Sequence, residues 1–243
     1  KDIIDAAGAH KTNIIAVSDH GMAPLHTQGF PNRILRAAGL VEVTGSTVDP
    51  KTSRTNAVTV GSAATIYINL EGREPTGIVP LEQYESLQDE IVKVFSAVND
   101  PTTNESVFEI ILKKPPTDVL QQQSHFVGNK KQKERQRDFH VFGEDTGDVL
   151  VVTRPGYNLD FNAGTVAGPG NFFQPSTFFG QHGFDPKDPE MKGIFYAIGP
   201  DFRRSTLDEV DSIDIAPTIA DLLDIKPPRD AQGKKLRTSR DGN

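Results

Sequence analysis

The sequence contains no cysteine and no apolar run long enough to cross a membrane. The lack of cysteine excludes disulfide bonds, thiolate nucleophiles and zinc sites built from cysteine. A membrane-spanning helix needs about 18–20 consecutive apolar residues, whereas the longest apolar stretches, such as residues 14–17 and 194–198, have the length of buried strands. We therefore predict no membrane span. The composition fits a periplasmic or secreted protein and a cytoplasmic one equally.

The chain also has fewer basic than acidic residues. Its 26 Lys and Arg residues and 33 Asp and Glu residues give a net charge of −7 at pH 7. Proteins that coat nucleic acid use a basic surface, so a nucleic-acid partner is not expected. A small phosphate-bearing substrate is compatible with this charge, because a bound metal cation can make a local site positive.

Apolar periodicity over the 243 residues predicts strands that alternate with helices. The predicted strands are residues 14–17, 41–43, 57–60, 64–70, 107–112, 148–153 and 193–198. The predicted helices are residues 31–38, 81–98 and 214–223. This alternation predicts an α/β fold with a mostly parallel central sheet sandwiched between helices. Residues 154–192 show no periodicity and are predicted to form a long loop, and residues 226–243 a polar tail.

An acid and an imidazole follow the first predicted strand directly. Asp19 and His20 come after residues 14–17, at the carboxyl end of a strand, where open α/β sheets bind ligands. Gly21 permits a turn that brings both side chains to one site. A carboxylate oxygen with an imidazole nitrogen suits zinc, manganese or iron. The alternative is an Asp19 that caps a helix beside a surface histidine.

A second histidine lies in the glycine-rich stretch near the end of the predicted long loop. His182 stands between Gly180 and Gly183, where the backbone can follow an unusual path beside a ligand. The alternative is a loop histidine that stacks on Phe179 or Phe184. Residue types alone favour that second interpretation.

Several segments taken together resemble a known family. The sequence reads VSDHGM, then GQHGF before a strand that ends in IGPDF, then IDIAPTIADLLDIKPP. The segments YINLEGREPTGIVPLEQYESLQDEIVKVF and PPRDAQGKKL add to the similarity. In this order they resemble the C-terminal half of the alkaline phosphatase superfamily, and more closely the type I phosphodiesterase/nucleotide pyrophosphatase family. The resemblance covers about residues 10–237.

The resemblance implies an enzyme with two divalent metal ions, usually zinc, with manganese as an alternative, and a Thr or Ser nucleophile. Asp19 and His20 match ligands of one metal, and His182 matches a ligand of the other. The implied reaction is hydrolysis of a phosphodiester or pyrophosphate bond in a small phosphoester such as a nucleotide.

One departure from the family concerns the residues that precede Ser18. In the family the nucleophile and further metal ligands lie upstream of this position, whereas only 17 residues precede Ser18 here. We therefore expect residues 1–243 to be the C-terminal part of a catalytic domain, with an inserted region at about 45–147. The missing N-terminal part of the same polypeptide would be its partner, and the chain alone would be catalytically incomplete. A phosphomutase, a sulfatase of the same superfamily and a non-catalytic metal-binding remnant remain alternatives.

The remaining candidate residues carry weaker signals. His26 is expected in a surface loop, with a place near the site as the alternative. His125 and His140, and the basic run at 129–137 between them, are expected on a solvated face, with binding of a polyanion by the run as the alternative. Core packing is the expected role of most phenylalanines in the predicted long loop, and stacking on a nucleobase or lining an apolar leaving-group pocket are the alternatives: Phe172, Phe173, Phe178 and Phe179.

Overall fold

The computed structural model describes residues 1–8, 10–45, 47–114, 146–160 and 172–237. Two compact units divide the chain. The terminal unit consists of Lys1–Gly21 and Lys192–Asn243, and the central unit of Met22–Met191. His125, His140 and the basic run at 129–137 lie outside the described residues.

The terminal unit contains a two-stranded sheet. Strand β1 (Ile14–Val17) pairs with β12 (Phe195–Ile198) in antiparallel register, with Ile14 opposite Ile198. Both strands were predicted, but their predicted burial is wrong, because Val17 is 46% and Tyr196 is 56% exposed. The physical reason is that a two-stranded sheet has too few neighbours to cover both of its faces.

Two helices of the terminal unit lie near its ends. Helix α1 is Asp2–Ala7, and helix α4 is Ile215–Leu222, with Pro217 tolerated in its first turn. The residues that follow α4 are not a free tail. The Lys234 N–H donates to Asp214 Oδ1 at 2.7 Å, and the Leu236 N–H donates to Thr218 Oγ1 at 2.8 Å. Short polar segments of this kind carry no periodicity, so the sequence could not predict that they dock.

The central unit is built on a four-stranded antiparallel sheet in the order β5-β6-β8-β7. These strands are β5 (Thr55–Val60), β6 (Ala63–Ile68), β7 (Phe108–Lys113) and β8 (Val149–Thr153). Helix α3 (Tyr84–Ser96) packs on this sheet and was predicted from its apolar spacing. Its buried residues recur every four positions, as Leu87, Ile91 and Phe95.

A second sheet of the central unit is organised around β2. Its strands are β2 (Ala23–Gly29), β9 (Gly156–Leu159), β10 (Phe173–Pro175) and β11 (Gly180–Gln181), and helix α2 (Pro31–Ala37) follows β2. Strands β10 and β11 pair with β2 in antiparallel direction, whereas β9 runs parallel to it. A short antiparallel pair, β3 (Val43–Thr44) with β4 (Thr47–Val48), completes the described strands.

The predicted α/β class is therefore present, but its parallel character is limited. Among the described strands, only the β2–β9 pairing is parallel. The predicted loop at 154–192 contains β9, β10, β11 and a 3₁₀ turn at Pro189–Met191. Strands of two to four residues are too short to produce a periodic pattern.

A hydrogen-bond network around the buried carboxylate of Asp148 connects three segments of the central unit. Asp148 is fully buried, and its carboxylate accepts two hydrogen bonds from the Arg73 guanidinium at 2.7 and 2.8 Å. The same carboxylate accepts the Tyr84 hydroxyl at 2.7 Å and the Ile68 N–H at 2.6 Å. Burial, and then the charge of Asp148, raise the pKa of Tyr84, so the phenol stays a donor. The network joins the segment after β6, helix α3 and the start of β8.

Among the residues that the structure describes, no helix combines the length and the apolar character that crossing a membrane requires.

Candidate metal centre

The Asp19–His20 pair lies where the chain leaves β1. The Ser18 N–H donates to the Ile194 carbonyl at 3.1 Å, and the Ile194 N–H donates to Ser18 Oγ at 2.8 Å. These bonds extend the β1–β12 pairing by one residue, so Asp19 is the first residue beyond the sheet. The predicted position of the acid at the end of a strand is confirmed.

Two hydrogen bonds fix the orientation of this pair. His20 Nδ1 lies 2.7 Å from the Gly21 carbonyl, which can only accept, so Nδ1 carries the proton. In the neutral form of the ring, the lone pair is therefore on Nε2. Asp19 Oδ1 accepts the His20 N–H at 3.1 Å, which leaves Oδ2 for other contacts. A backbone carbonyl on the far ring nitrogen is the usual support of a metal-binding histidine.

The remaining ligand atoms of the pair face each other. His20 Nε2 lies 3.3 Å from Asp19 Oδ2. Two acceptors at this separation are stable only with a proton or a metal cation between them. Two ligands on one tetrahedral zinc, each about 2.0–2.1 Å from the metal, stand about 3.3–3.4 Å apart. The separation of Asp19 Oδ2 and His20 Nε2 therefore matches that of two ligand atoms on one metal ion. The Asp19 side chain is 84% exposed and accessible to a cation from solvent.

His182 belongs to the central unit, directly after β11. Gly180 and Gln181 of this strand pair with Pro24 and Ala23 of β2. The His182 carbonyl accepts the Ser62 N–H at 3.0 Å, from the turn between β5 and β6. His182 is half-buried, and its backbone is supported by the pairing of β11 with β2 and by the turn between β5 and β6.

The three predicted ligands are distributed over both units. Asp19 and His20 form a local pair in the terminal unit, and His182 is part of the central unit. Within the described ranges, no group of three or more His, Asp or Glu side chains is arranged to hold a metal ion. The assignment of these residues as metal ligands stays a prediction.

A polar pocket of about 380 Å³ lies beside β2 in the central unit. His26 is on β2, not in a surface loop, and its ring meets the Tyr157 ring edge-on at 5.0 Å. The Tyr157 hydroxyl donates to Asp100. Arg154 and Glu105 also line the pocket, and Arg154 Nη1 donates to Glu105 Oε2 at 2.6 Å. Sequence reasoning missed Asp100 and Tyr157, which lie far apart in the chain and carry no motif.

Hydrogen bonds to Asp100 keep its carboxylate ionised in this pocket. The Tyr157 hydroxyl, followed by the N–H groups of Thr103 and Thr102, lowers the pKa of Asp100 to about 2. Burial, followed by the hydrogen bond to Asp100, raises the pKa of Tyr157 to about 12. Asp100 is therefore ionised and Tyr157 neutral across the range of most assays.

We expect the stabilising effect of the Tyr157 hydroxyl to depend on pH. An unfolded Asp titrates near 3.9, so the lowered pKa of Asp100 stabilises the fold above about pH 4, and this contribution is lost as the pH falls towards 2. The difference in urea midpoint between wild type and Tyr157→Phe should be constant from pH 5 to 7 and shrink below pH 4. Tyr196→Phe, on exposed β12, is the control and should show no such trend. A Tyr157→Phe difference that grows on acidification would contradict this coupling.

The four phenylalanines predicted in the long loop divide into two pairs. Phe172 and Phe173 pack against the main hydrophobic core of the central unit, as expected. Phe178 is 58% and Phe179 is 94% exposed, so core packing is wrong for these two. The sequence offers no signal that separates them, because all four share the same aperiodic stretch.

Two solved structures share the fold of this chain. Human ectonucleotide pyrophosphatase/phosphodiesterase 5 matches with a TM-score of 0.51 and 18% identity, over 96% of this chain and 46% of that one. An inactive form of the murine protein in complex with AMP matches with a TM-score of 0.50 and 17% identity, over 90% of this chain and 43% of that one. The chain spans less than half of both structures, and identities this low indicate the fold alone.

The sequence itself gives the narrower assignment. The profile of the type I phosphodiesterase/nucleotide pyrophosphatase family matches residues 1–185, a stretch that includes Asp19, His20 and His182. The chain belongs to this family, and the resemblance seen in its motifs is confirmed. No curated protein matches the chain significantly.

Proposed function

We propose that the chain is part of a metal-dependent phosphohydrolase that cleaves a phosphodiester or pyrophosphate bond. Asp19 and His20 bind one divalent cation, and His182 binds a second one. Zinc is the first choice, with manganese as the alternative, since both accept carboxylate and imidazole ligands. The observation that carries the proposal is the His20 ring, whose protonated Nδ1 is tied to Gly21 and whose Nε2 faces Asp19 Oδ2 at 3.3 Å.

Each ligand residue has a defined task in this proposal. When bound, divalent cations neutralise the charge on the phosphoryl oxygens and stabilise the attacking and leaving oxygens. Asp19 supplies the negative charge that makes the site selective for a cation. The Gly21 carbonyl fixes the His20 tautomer, so the lone pair of Nε2 needs no reorientation before it binds.

We further propose that residues 1–243 are the C-terminal part of the catalytic domain, with an inserted region at about 45–147, and that the nucleophile is elsewhere in the polypeptide. Two zinc ions need about three to four protein ligands each, whereas three are assigned here. The apolar residues of the two-stranded sheet support this proposal, because Val17, Ile194 and Tyr196 are 46–68% exposed. Exposed apolar strands of this kind are normally covered by further elements.

A nucleotide is the substrate class that we propose. The family is named for nucleotide pyrophosphatases, and the murine relative was solved with AMP. A nucleotide diester or pyrophosphate combines an anionic centre for the two cations with a leaving group of moderate size.

Removal of metal tests the proposal. In the full-length polypeptide, a strong chelator should lower the hydrolysis of bis(p-nitrophenyl) phosphate by roughly 100-fold or more. Added Zn²⁺ or Mn²⁺ should restore the rate, and Mg²⁺, which prefers oxygen ligands, should restore less. A rate that is unchanged by the chelator would contradict metal dependence. Turnover by the 243-residue chain alone would contradict its catalytic incompleteness.

A further inference from the structure

The turn between β5 and β6 lies directly against the backbone of His182. The Ser62 N–H donates to the His182 carbonyl at 3.0 Å. Ser62 is fully buried, and its own carbonyl accepts the Thr153 N–H at 3.0 Å and the Thr153 hydroxyl at 3.2 Å. Ser62, whose N–H binds the His182 carbonyl, is thus itself hydrogen-bonded to β8, an inner strand of the four-stranded sheet. This part of the sheet has no other assigned role in the site.

Glycines on both sides make this close approach possible. Gly61 has φ +61°, and a Cβ atom there would lie 2.5 Å from the His182 carbonyl oxygen. Gly183 has φ +89°, and a Cβ atom there would lie 3.1 Å from both the Ser62 nitrogen and the Val60 oxygen. At both glycines the nearest atoms are backbone atoms of the neighbouring segment. An added methyl group would therefore push against backbone and not against a flexible side chain that could move away.

We propose that the Gly61–Ser62 turn is the positioning element of His182 and sets the place from which its imidazole reaches a metal ion. The inference rests on the proposed role of His182 as a ligand. Gly61 and Ser62 are positioning residues, because they act only through the His182 backbone. The turn is about 120 residues away from the histidine in sequence.

A methyl group at position 61 must displace His182. Real contacts of Cβ atoms below 3.0 Å are essentially absent, so the His182 carbonyl and the turn must separate by about half an ångström. Metal–ligand distances tolerate only about 0.2 Å. Disturbing a group that orients a metal ligand typically costs 10–100-fold in metal affinity.

Gly72 provides a matched control for Gly61. It has φ +77°, and a Cβ atom there would meet nothing within 4 Å. Gly61→Ala and Gly72→Ala therefore impose the same kind of left-handed backbone strain, but only the first creates a contact with His182. His182→Ala provides the reference for loss of the ligand itself.

The experiment measures Zn²⁺ affinity of the full-length polypeptide by competition with a chromophoric chelator, together with amide hydrogen exchange of Ser62. Gly61→Ala should bind Zn²⁺ about 10–100-fold more weakly than wild type, while Gly72→Ala stays within about twofold of it. Exchange of the Ser62 amide should accelerate in Gly61→Ala and not in Gly72→Ala. Equal Zn²⁺ affinities in the two glycine variants would overturn the inference, even if His182→Ala loses binding.

A wild-type measurement covers the case in which Gly61→Ala does not fold. Zn²⁺ should slow exchange of the Ser62 amide in the wild-type chain, because a ligated His182 holds its carbonyl more firmly, and His182→Ala should abolish this slowing. If Zn²⁺ binding depends on His182 but leaves the Ser62 amide unchanged, the positioning role is wrong and the ligand role stands. If wild type and His182→Ala bind Zn²⁺ equally, the ligand role fails, and the positioning role fails with it.

Discussion

Replacing Asp19 by Asn in the full-length polypeptide should lower turnover of an activated phosphodiester by roughly 10³-fold, since a metal ion contributes several kcal/mol to transition-state stabilisation and 1.36 kcal/mol corresponds to tenfold. Asn keeps the size of the side chain and an oxygen for the His20 N–H. It places an amide donor in place of Oδ2, opposite His20 Nε2, so a neutral hydrogen bond replaces the cation between the two groups.

The control for this variant is Asp208→Asn, an exposed carboxylate of the same unit. It removes the same charge without touching the Asp19–His20 pair, and its activity should stay within about twofold of wild type. Metal content by mass spectrometry should fall in Asp19→Asn only. An Asp19→Asn enzyme that retains more than a tenth of the activity would contradict the role of Asp19 as a ligand.

The largest effect on stability is expected from Asp148→Ala. The substitution removes the acceptor of Arg73, Tyr84 and the Ile68 N–H at once. Removal of one partner of a buried ion pair costs about 3–5 kcal/mol, and we expect about 3 kcal/mol because the Arg73 side chain is 36% exposed and partly solvated. In a chain of this size, that loss lowers the melting temperature by about 6–12 °C.

Two further variants separate the parts of this loss. Tyr84→Phe removes one hydrogen bond and should cost about 1 kcal/mol. Asp89→Ala removes an exposed ion pair with Lys113 and should change the free energy of unfolding by less than about 1 kcal/mol. Urea unfolding of the 243-residue chain measures all three variants. A cost below about 1 kcal/mol for Asp148→Ala would show that the network does not organise the core.

The positions of the main helices and strands could be predicted from local patterns. The spacing of apolar residues predicted α3, and the apolar run after Asn13 predicted β1. The direction of strand pairing could not be predicted in this way, because an apolar run indicates a strand without specifying its neighbour. β1 was therefore expected in a parallel sheet, whereas it pairs antiparallel with β12.

The candidate site was predictable where its residues are adjacent in sequence. Asp19 and His20 are neighbours in the sequence, so their closeness in space needs no contact between distant strands. The support of His182 by the Gly61–Ser62 turn depends on a contact between distant strands, which no local pattern encodes. The same holds for the hydrogen bond between Asp100 and Tyr157, since each residue alone has an ordinary sequence context.

Anomalous diffraction at the zinc edge from crystals of the full-length polypeptide tests the metal assignment most directly. We expect one anomalous peak about 2.0–2.2 Å from both Asp19 Oδ2 and His20 Nε2, and a second peak about 2.0–2.1 Å from an imidazole nitrogen of His182. A zinc-loaded crystal in which neither the Asp19–His20 pair nor His182 lies within coordination distance of a peak would contradict it.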